Sequence, residues 1–195
     1  MQHNPEAFNR LARQRRSVFP KQFVPGAKVP DEIISQVLEN AIWAPTHKLT
    51  EPWHFVVFTG DGLKTFAEYQ SGMYKANAGD AFKEDKYIKM QQQPLLASHI
   101  IALCMKRTTE VSIPEVEEIA AVACAVQNIY LSIAAYGYGG YWTTGGVTYM
   151  PQAKSFFGLH EKDKLLGFFY VGVIGVPSIA GKRQPLELKV EWKRE

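Results

Sequence analysis

The sequence predicts an α+β fold in a single domain. Three observations carry that expectation. A long, mostly apolar helical pattern runs from Pro114 to Gly140, two apolar runs of strand length lie at 97–106 and 165–175, and helical stretches with one apolar face separate them. A chain of 195 residues is of the size that closes around one core. No repeat, low-complexity tract or linker divides it, so residues 1–195 are read as one domain.

The pattern assigns the elements in order. Residues 4–16 form a helix with Asn4 as cap and Pro5 at the first position. Asp31 caps a second helix, DEIISQVLENAIWA, whose inner face is Ile33, Ile34, Val37, Leu38 and Ile42, and Pro45 stops it. A loop, PTHKLTEPW, leads into the strand WHFVVFTG, and Gly60-Asp61-Gly62 turns into a helix near LKTFAEYQ. Residues 66–93 are polar and weakly patterned, with a further short helix around AFKEDKYIKMQQQ; either a flap over a site or a surface insertion fits them. ASHIIALCMK is a buried strand. The long helix begins at Pro114 with Glu115, Glu117 and Glu118 in its first turn, and Gly137, Gly139 and Gly140 end it before a short strand at GGYWTT. A short helix at 148–158 closes on Gly158, and LLGFFYVGVIG is the most apolar strand. In the tail, Leu186, Leu188 and Val190 alternate with Glu187, Lys189 and Glu191, which predicts a half-exposed strand.

Composition narrows the function. A net charge of +3, with scattered lysines, argues against nucleic-acid binding. Cys104 and Cys124 stand in apolar surroundings without C-x-x-C spacing and read as reduced core residues of a cytosolic protein. No apolar run is read as a membrane span and no export signal is evident. His47 and His54 match no zinc spacing, so no metal is expected. GYGGYW lacks the last glycine of a dinucleotide fingerprint, GVPSIAGKR fails as a P-loop, and no nucleophile–base arrangement is legible.

Anion-binding pieces remain at the two chain ends. Arg15, Arg16 and Ser17 follow the first helix, and Lys182-Arg183 sit near the C-terminus; arginine forks and a hydroxyl suit a phosphate. A solvated basic helix end explains the first group equally well. Two ligand-like loops, 45–51 and 142–146, lie between them. The residues alone point to a phosphorylated ligand and no further.

These same landmarks resemble the FMN-dependent nitroreductase family in its compact branch. They are RRS at 15–17, APTHKLTEPWHF at 44–55, the long helix ending in GYGGYWTTGG, and GVPSIAGKRQPLELKVEW at 175–192. The resemblance implies a mixed, mostly antiparallel sheet flanked by helices. It also implies a homodimer through the long helix with an FMN site at each subunit interface. It places Arg15, Arg16 and Ser17 on the FMN phosphate and ribityl chain, with Lys182 and Arg183 completing the phosphate site. Pro45, Thr46 and His47 would approach the flavin from across the interface, and Trp142, Thr143, Thr144 and Gly145 would lie along its ring. Three departures from the family pattern stand at Phe19, Leu49 and Glu51, with Lys21 near the first.

The activity implied is that of a cytoplasmic oxidoreductase passing two electrons from NAD(P)H through FMN to a nitroaromatic, quinone or similar small acceptor, in ping-pong order. The flavin N5 carries the hydride, so no catalytic side chain is named. Enone reduction, reductive dehalogenation and non-catalytic flavin sensing are the alternatives on the same fold.

Overall fold

The computed structural model describes residues 4–194. Helix α1 spans Pro5–Gln14; Asn4 caps it by accepting the Ala7 amide at 3.0 Å, and Pro5 occupies its first turn. Helix α2 spans Asp31–Ile42, β1 Trp53–Thr59 and α3 Asp61–Asn77. Helix α4, Glu84–Gln92, precedes β2, His99–Met105. The long helix α5 spans Glu115–Ala135, followed by β3, Gly139–Thr143, and β4, Lys164–Gly172.

The strands form one four-stranded sheet in the order β1-β2-β4-β3. All three pairings are antiparallel; among the described residues parallel pairing is confined to a bridge between Ser17 and Gly140. Helices cover both faces, which is why β2 is buried along its whole length and its sequence lacks polar alternation. One face packs Phe66 of α3 against Phe157 and Phe168; the other packs Val37 of α2 and Val126 and Ile129 of α5 against Phe169. Each such fully buried side chain contributes about 1.5–3 kcal/mol by leaving water. Gly140 exists where α5 turns back onto the sheet: a Cβ there would lie 2.5 Å from Cζ of Phe169.

Two buried carboxylates hold the far end of α5. Glu118, on the first turns, pairs with Arg107 and accepts the Thr108 amide, while Arg107 also donates to the Ile113 carbonyl. Asp163 accepts the amides of Arg107 and His160 at 2.8 and 2.7 Å, anchoring the entry to β4.

Several expectations are corrected. Asp31 does not cap α2, whose cap position is Pro30; its carboxylate lies 2.8 Å from Nε2 of the buried His99 and ties α2 to β2. The 148–158 segment is a tighter 3-10 turn, Pro151–Phe157, closed as expected by Gly158 in the left-handed region (φ 67°). The tail is not a strand. It makes a 3-10 turn at Leu186–Leu188 and pairs with no strand among the described residues, and Leu186, Leu188 and Trp192 stay exposed. Cys104 is buried, but Cys124 faces solvent on α5. By length and composition α5 could cross a membrane, contrary to the reading that no apolar run does; it packs instead between α2 and the sheet. Residues 66–93 form a tied helical pair: Gln70 donates to the Met90 carbonyl at 2.7 Å, and the Tyr74 hydroxyl accepts the Lys83 amide at 2.9 Å.

Candidate functional site

Three chain segments converge where α5 ends. After α1 the chain lies along Gly140, with the Val18 amide donating to the Gly140 carbonyl at 2.9 Å. The C-terminal loop is held to the same segment: the amides of Gly175 and Val176 both donate to the Gln22 carbonyl, at 2.8 and 3.0 Å. Ser178 Oγ donates to the Ser17 carbonyl at 3.3 Å. The two chain ends are thereby brought side by side.

Between them lies a cleft of about 300 Å³ lined by Arg15, Arg16, Ser17, Ser178 and Arg183. The Arg16 guanidinium is held rigidly, donating to the carbonyls of Arg13 and Arg15 at 2.6 and 2.7 Å. Its Nε is buried with no partner among the described residues. Gly181 makes room for this group, since a Cβ there would lie 2.5 Å from the Arg16 Cζ. The Arg15 guanidinium sits 4.6 Å over the ring of Tyr130. A fixed guanidinium with an unused donor, two further arginines and two hydroxyls fit a phosphate. Lys182 is outside this lining; its carbonyl accepts from Arg183 at 2.8 Å.

The β3 segment follows strand alternation. Tyr141 packs toward the α3 face of the sheet, whereas the Trp142 indole turns to the α5 face and donates to the Leu166 carbonyl at 3.0 Å. On the α3–α4 side are two cavities of about 310 and 510 Å³, which share Lys89, Gln93 and Tyr141. Thr143 and Gly145 line the first; Thr144 is exposed and lines neither. Phe19 lines both the larger cavity and the arginine cleft, with its ring 4.6 Å from that of Tyr141. The arginine cleft and the cavities beside β3 are thus neighbours, with Phe19 and Tyr141 standing between them. Tyr170 lines the first cavity, and burial raises its phenol far above the ordinary value, so it stays neutral.

Pro45, Thr46 and His47 are elsewhere. Pro45 is exposed, Thr46 Oγ1 bonds Thr50 Oγ1 at 3.1 Å, and His47 Nδ1 is 2.5 Å from Oε2 of Glu117 on the first turn of α5. From Glu117 to Tyr130 the helix rises about 20 Å at ~1.5 Å per residue. Within one chain this loop and the arginine cleft are therefore apart. The loop is also strained, with positive φ at Lys48, Leu49 and Glu51. Among the described residues no three His, Cys, Asp or Glu side chains are grouped to hold a metal.

Sequence reasoning did not find Tyr130, Ser178, Lys89 of α4, or Gln93 just after it. Tyr130 reads in the sequence as one more apolar position of the long helix, and the short helix around AFKEDKYIKMQQQ, present as α4, carries no signal for which of its polar residues face a cavity.

The sheet, its two helical layers and the long α5 define an α+β protein of nitroreductase-like fold. The model of the nitroreductase family matches residues 12–173. YdjA of Escherichia coli (strain K12), provisionally named an NAD(P)H nitroreductase, is 34% identical over 142 residues, covering 72% of this chain and 75% of YdjA. The crystal structure of a nitroreductase-like family protein from Bacillus cereus superposes with a TM-score of 0.79 at 25% identity, covering 99% and 98% of the two chains. The FMN-dependent nitroreductase NfnB from Mycobacterium smegmatis, solved with NADPH, shares the fold with a TM-score of 0.72 at 20% identity, over 97% and 99%. The chain belongs to the nitroreductase family and is an oxidoreductase of that kind.

Proposed function

We propose that the protein is an FMN-dependent NAD(P)H oxidoreductase of the cytoplasm that reduces a nitroaromatic, quinone or similar small acceptor. The observation that carries this is the adjacency of the arginine cleft to the cavities beside β3, which share Phe19 and Tyr141 in their linings. One ligand with a phosphate at one end and a flat ring at the other fits such an arrangement. NfnB, an FMN-dependent relative in fold, was solved with NADPH, which supports the same cofactor pair. Arg15, Arg16, Ser17 and Arg183 would hold the phosphate, with Lys182 beside them, and the main chain of 142–145 would lie along the ring. When bound, the flavin supplies two-electron hydride chemistry between donor and acceptor in ping-pong order. The protein's part is positioning and electrostatics. Lys89 and Gln93 offer donors at the rim of the ring end, where they favour negative charge. Tyr170, kept neutral by burial, adds no competing charge there.

The site is completed by a second copy of the chain. Val116 and Cys124 leave an exposed apolar stripe on α5, and the tail presents Leu186, Leu188 and Trp192 to solvent. Pairing along α5 in opposite directions would bring Pro45, Thr46 and His47 of one copy toward the cleft of the other, closing the distance that separates them within one chain.

A visible spectrum of the purified protein, taken before and after anaerobic NADH or NADPH, tests the proposal. A flavin spectrum bleached by either donor is expected. A flavin that neither donor bleaches would leave a sensor or carrier, and no flavin even after FMN is added would overturn the reading.

A further inference from the structure

The phenol of Tyr130 is nearly buried, 9% exposed, where the arginine cleft meets β3. Its ring lies edge-on to Phe169 at 4.6 Å and beneath the Arg15 guanidinium. Its oxygen has two partners: the Trp142 amide donates to it at 2.9 Å, and Ser17 Oγ lies 3.2 Å away. An amide N–H can only donate, so the tyrosine oxygen accepts there, and among the described residues Ser17 Oγ is the acceptor bonded to it that can take its own hydrogen. Ser17 Oγ then accepts, and its own hydrogen is free to turn into the cleft beside Arg15, Arg16 and Arg183. The donors run in one sense, from the Trp142 amide through the Tyr130 phenol to the Ser17 hydroxyl and out to the open cleft. Hydrogen bonds in such a series polarise and strengthen one another. The series ends where the arginines would place an anionic oxygen.

We propose that Tyr130 is a positioning residue that couples the two ends of the site. An anion accepted from Ser17 tightens the Tyr130–Trp142 bond and so steadies the main chain of 143–145, on which a ring would lie. The proposal rests on the flavin reading for what carries the anion, but the coupling itself needs only the anion. Packing does not explain the tyrosine, because phenylalanine would fill the same space against Phe169 and under Arg15. What phenylalanine lacks is the oxygen.

Tyr130→Phe removes that oxygen alone. The first readout uses inorganic phosphate added to flavin-free protein, followed through the backbone amide resonance of Trp142. The resonance is expected to shift in the wild type and to stay fixed in Tyr130→Phe, although phosphate still binds the arginines. Ser17→Ala leaves the core intact and must abolish the same response, which keeps the test decisive should Tyr130→Phe fold poorly. The second readout is flavin affinity. Tyr130→Phe should weaken FMN roughly five- to tenfold, the effect of about one lost hydrogen bond at each end, and should weaken riboflavin as well. Ser17→Ala should weaken FMN and spare riboflavin. The double variant should lose less FMN affinity than the product of the single losses. A Trp142 amide that still follows phosphate in both variants, or strictly multiplicative losses, would overturn the coupling. Failure of the wild type to bind either flavin, with the phosphate responses intact, would instead remove the flavin reading and leave the coupling standing.

Discussion

At the scale of single residues, environment separates side chains that look alike in sequence. Arg15 and Arg16 are adjacent, yet Arg16 is fixed by two main-chain carbonyls while Arg15 rests on the Tyr130 ring. Arg15 has more freedom to turn to a ligand, so Arg15→Ala should weaken FMN binding roughly ten- to hundredfold, the range for a hydrogen bond to a charged group. Fluorescence titration with FMN checks this, and an unchanged affinity would remove Arg15 from the phosphate site. The cysteines diverge in the same manner. Burial pushes the Cys104 thiol up from 9.0 to about 12, while Cys124 is exposed. Folded protein at pH 8 should therefore leave Cys104 unlabelled, while Cys124 should take an alkyl label only when the α5 faces of two copies are apart; peptide mapping at dilute and at high protein concentration reads both outcomes. Because the folded state keeps the Cys104 proton that the unfolded chain gives up first, this thiol's contribution is intact below about pH 9. It is lost as pH rises toward 12. Denaturant midpoints compared at pH 8 and pH 10 should fall more in the wild type than in Cys104→Ala.

Elements are held by contacts at their ends. Glu118, 1% exposed, joins the first turns of α5 to the 107–113 loop. Glu118→Gln leaves Arg107 without its counter-charge, and an expected loss of about 3 kcal/mol follows the usual cost of breaking a buried pair from one side. Urea denaturation measures it, and a loss below 1 kcal/mol would mean that the partly exposed Arg107 finds water instead. At the other end of α5, Gly140→Ala drives a Cβ into the fully buried Phe169 and, behind it, Ile133. Overpacking of this kind costs about 1–3 kcal/mol. Phe169 also supports Tyr130, so this variant should lose flavin affinity along with stability.

For the whole molecule the open question is what covers its exposed apolar groups. Trp43, Leu49, Ile179 and Trp192 all stand more than two-thirds in solvent. A chain shortened after Arg183 should dissociate to monomer at concentrations where the full chain is dimeric, and should retain FMN less tightly. Analytical ultracentrifugation with and without FMN tests both outcomes; a full-length chain that is monomeric throughout would show that one copy makes the whole site.

The elements of this protein were largely legible in its sequence, because they rest on local rules. The helical spacing of α5, the unbroken apolar run of β2, and the proline and asparagine at the start of α1 each state their structure without reference to the rest of the chain. Arg15-Arg16-Ser17 and Lys182-Arg183 were likewise visible as anion-binding pieces. The tail was misread because alternation records only which residues would share a face, whereas a strand also needs a neighbour to accept its hydrogen bonds. Asp31 carried the signal of a cap, yet a buried histidine 68 positions away claimed it. The indole of Trp142 and the phenol of Tyr130 show the same limit. Which side of β3 a residue faces, and which oxygen an amide reaches, depend on how α5 packs across the sheet, and that packing is a property of the folded chain as a whole.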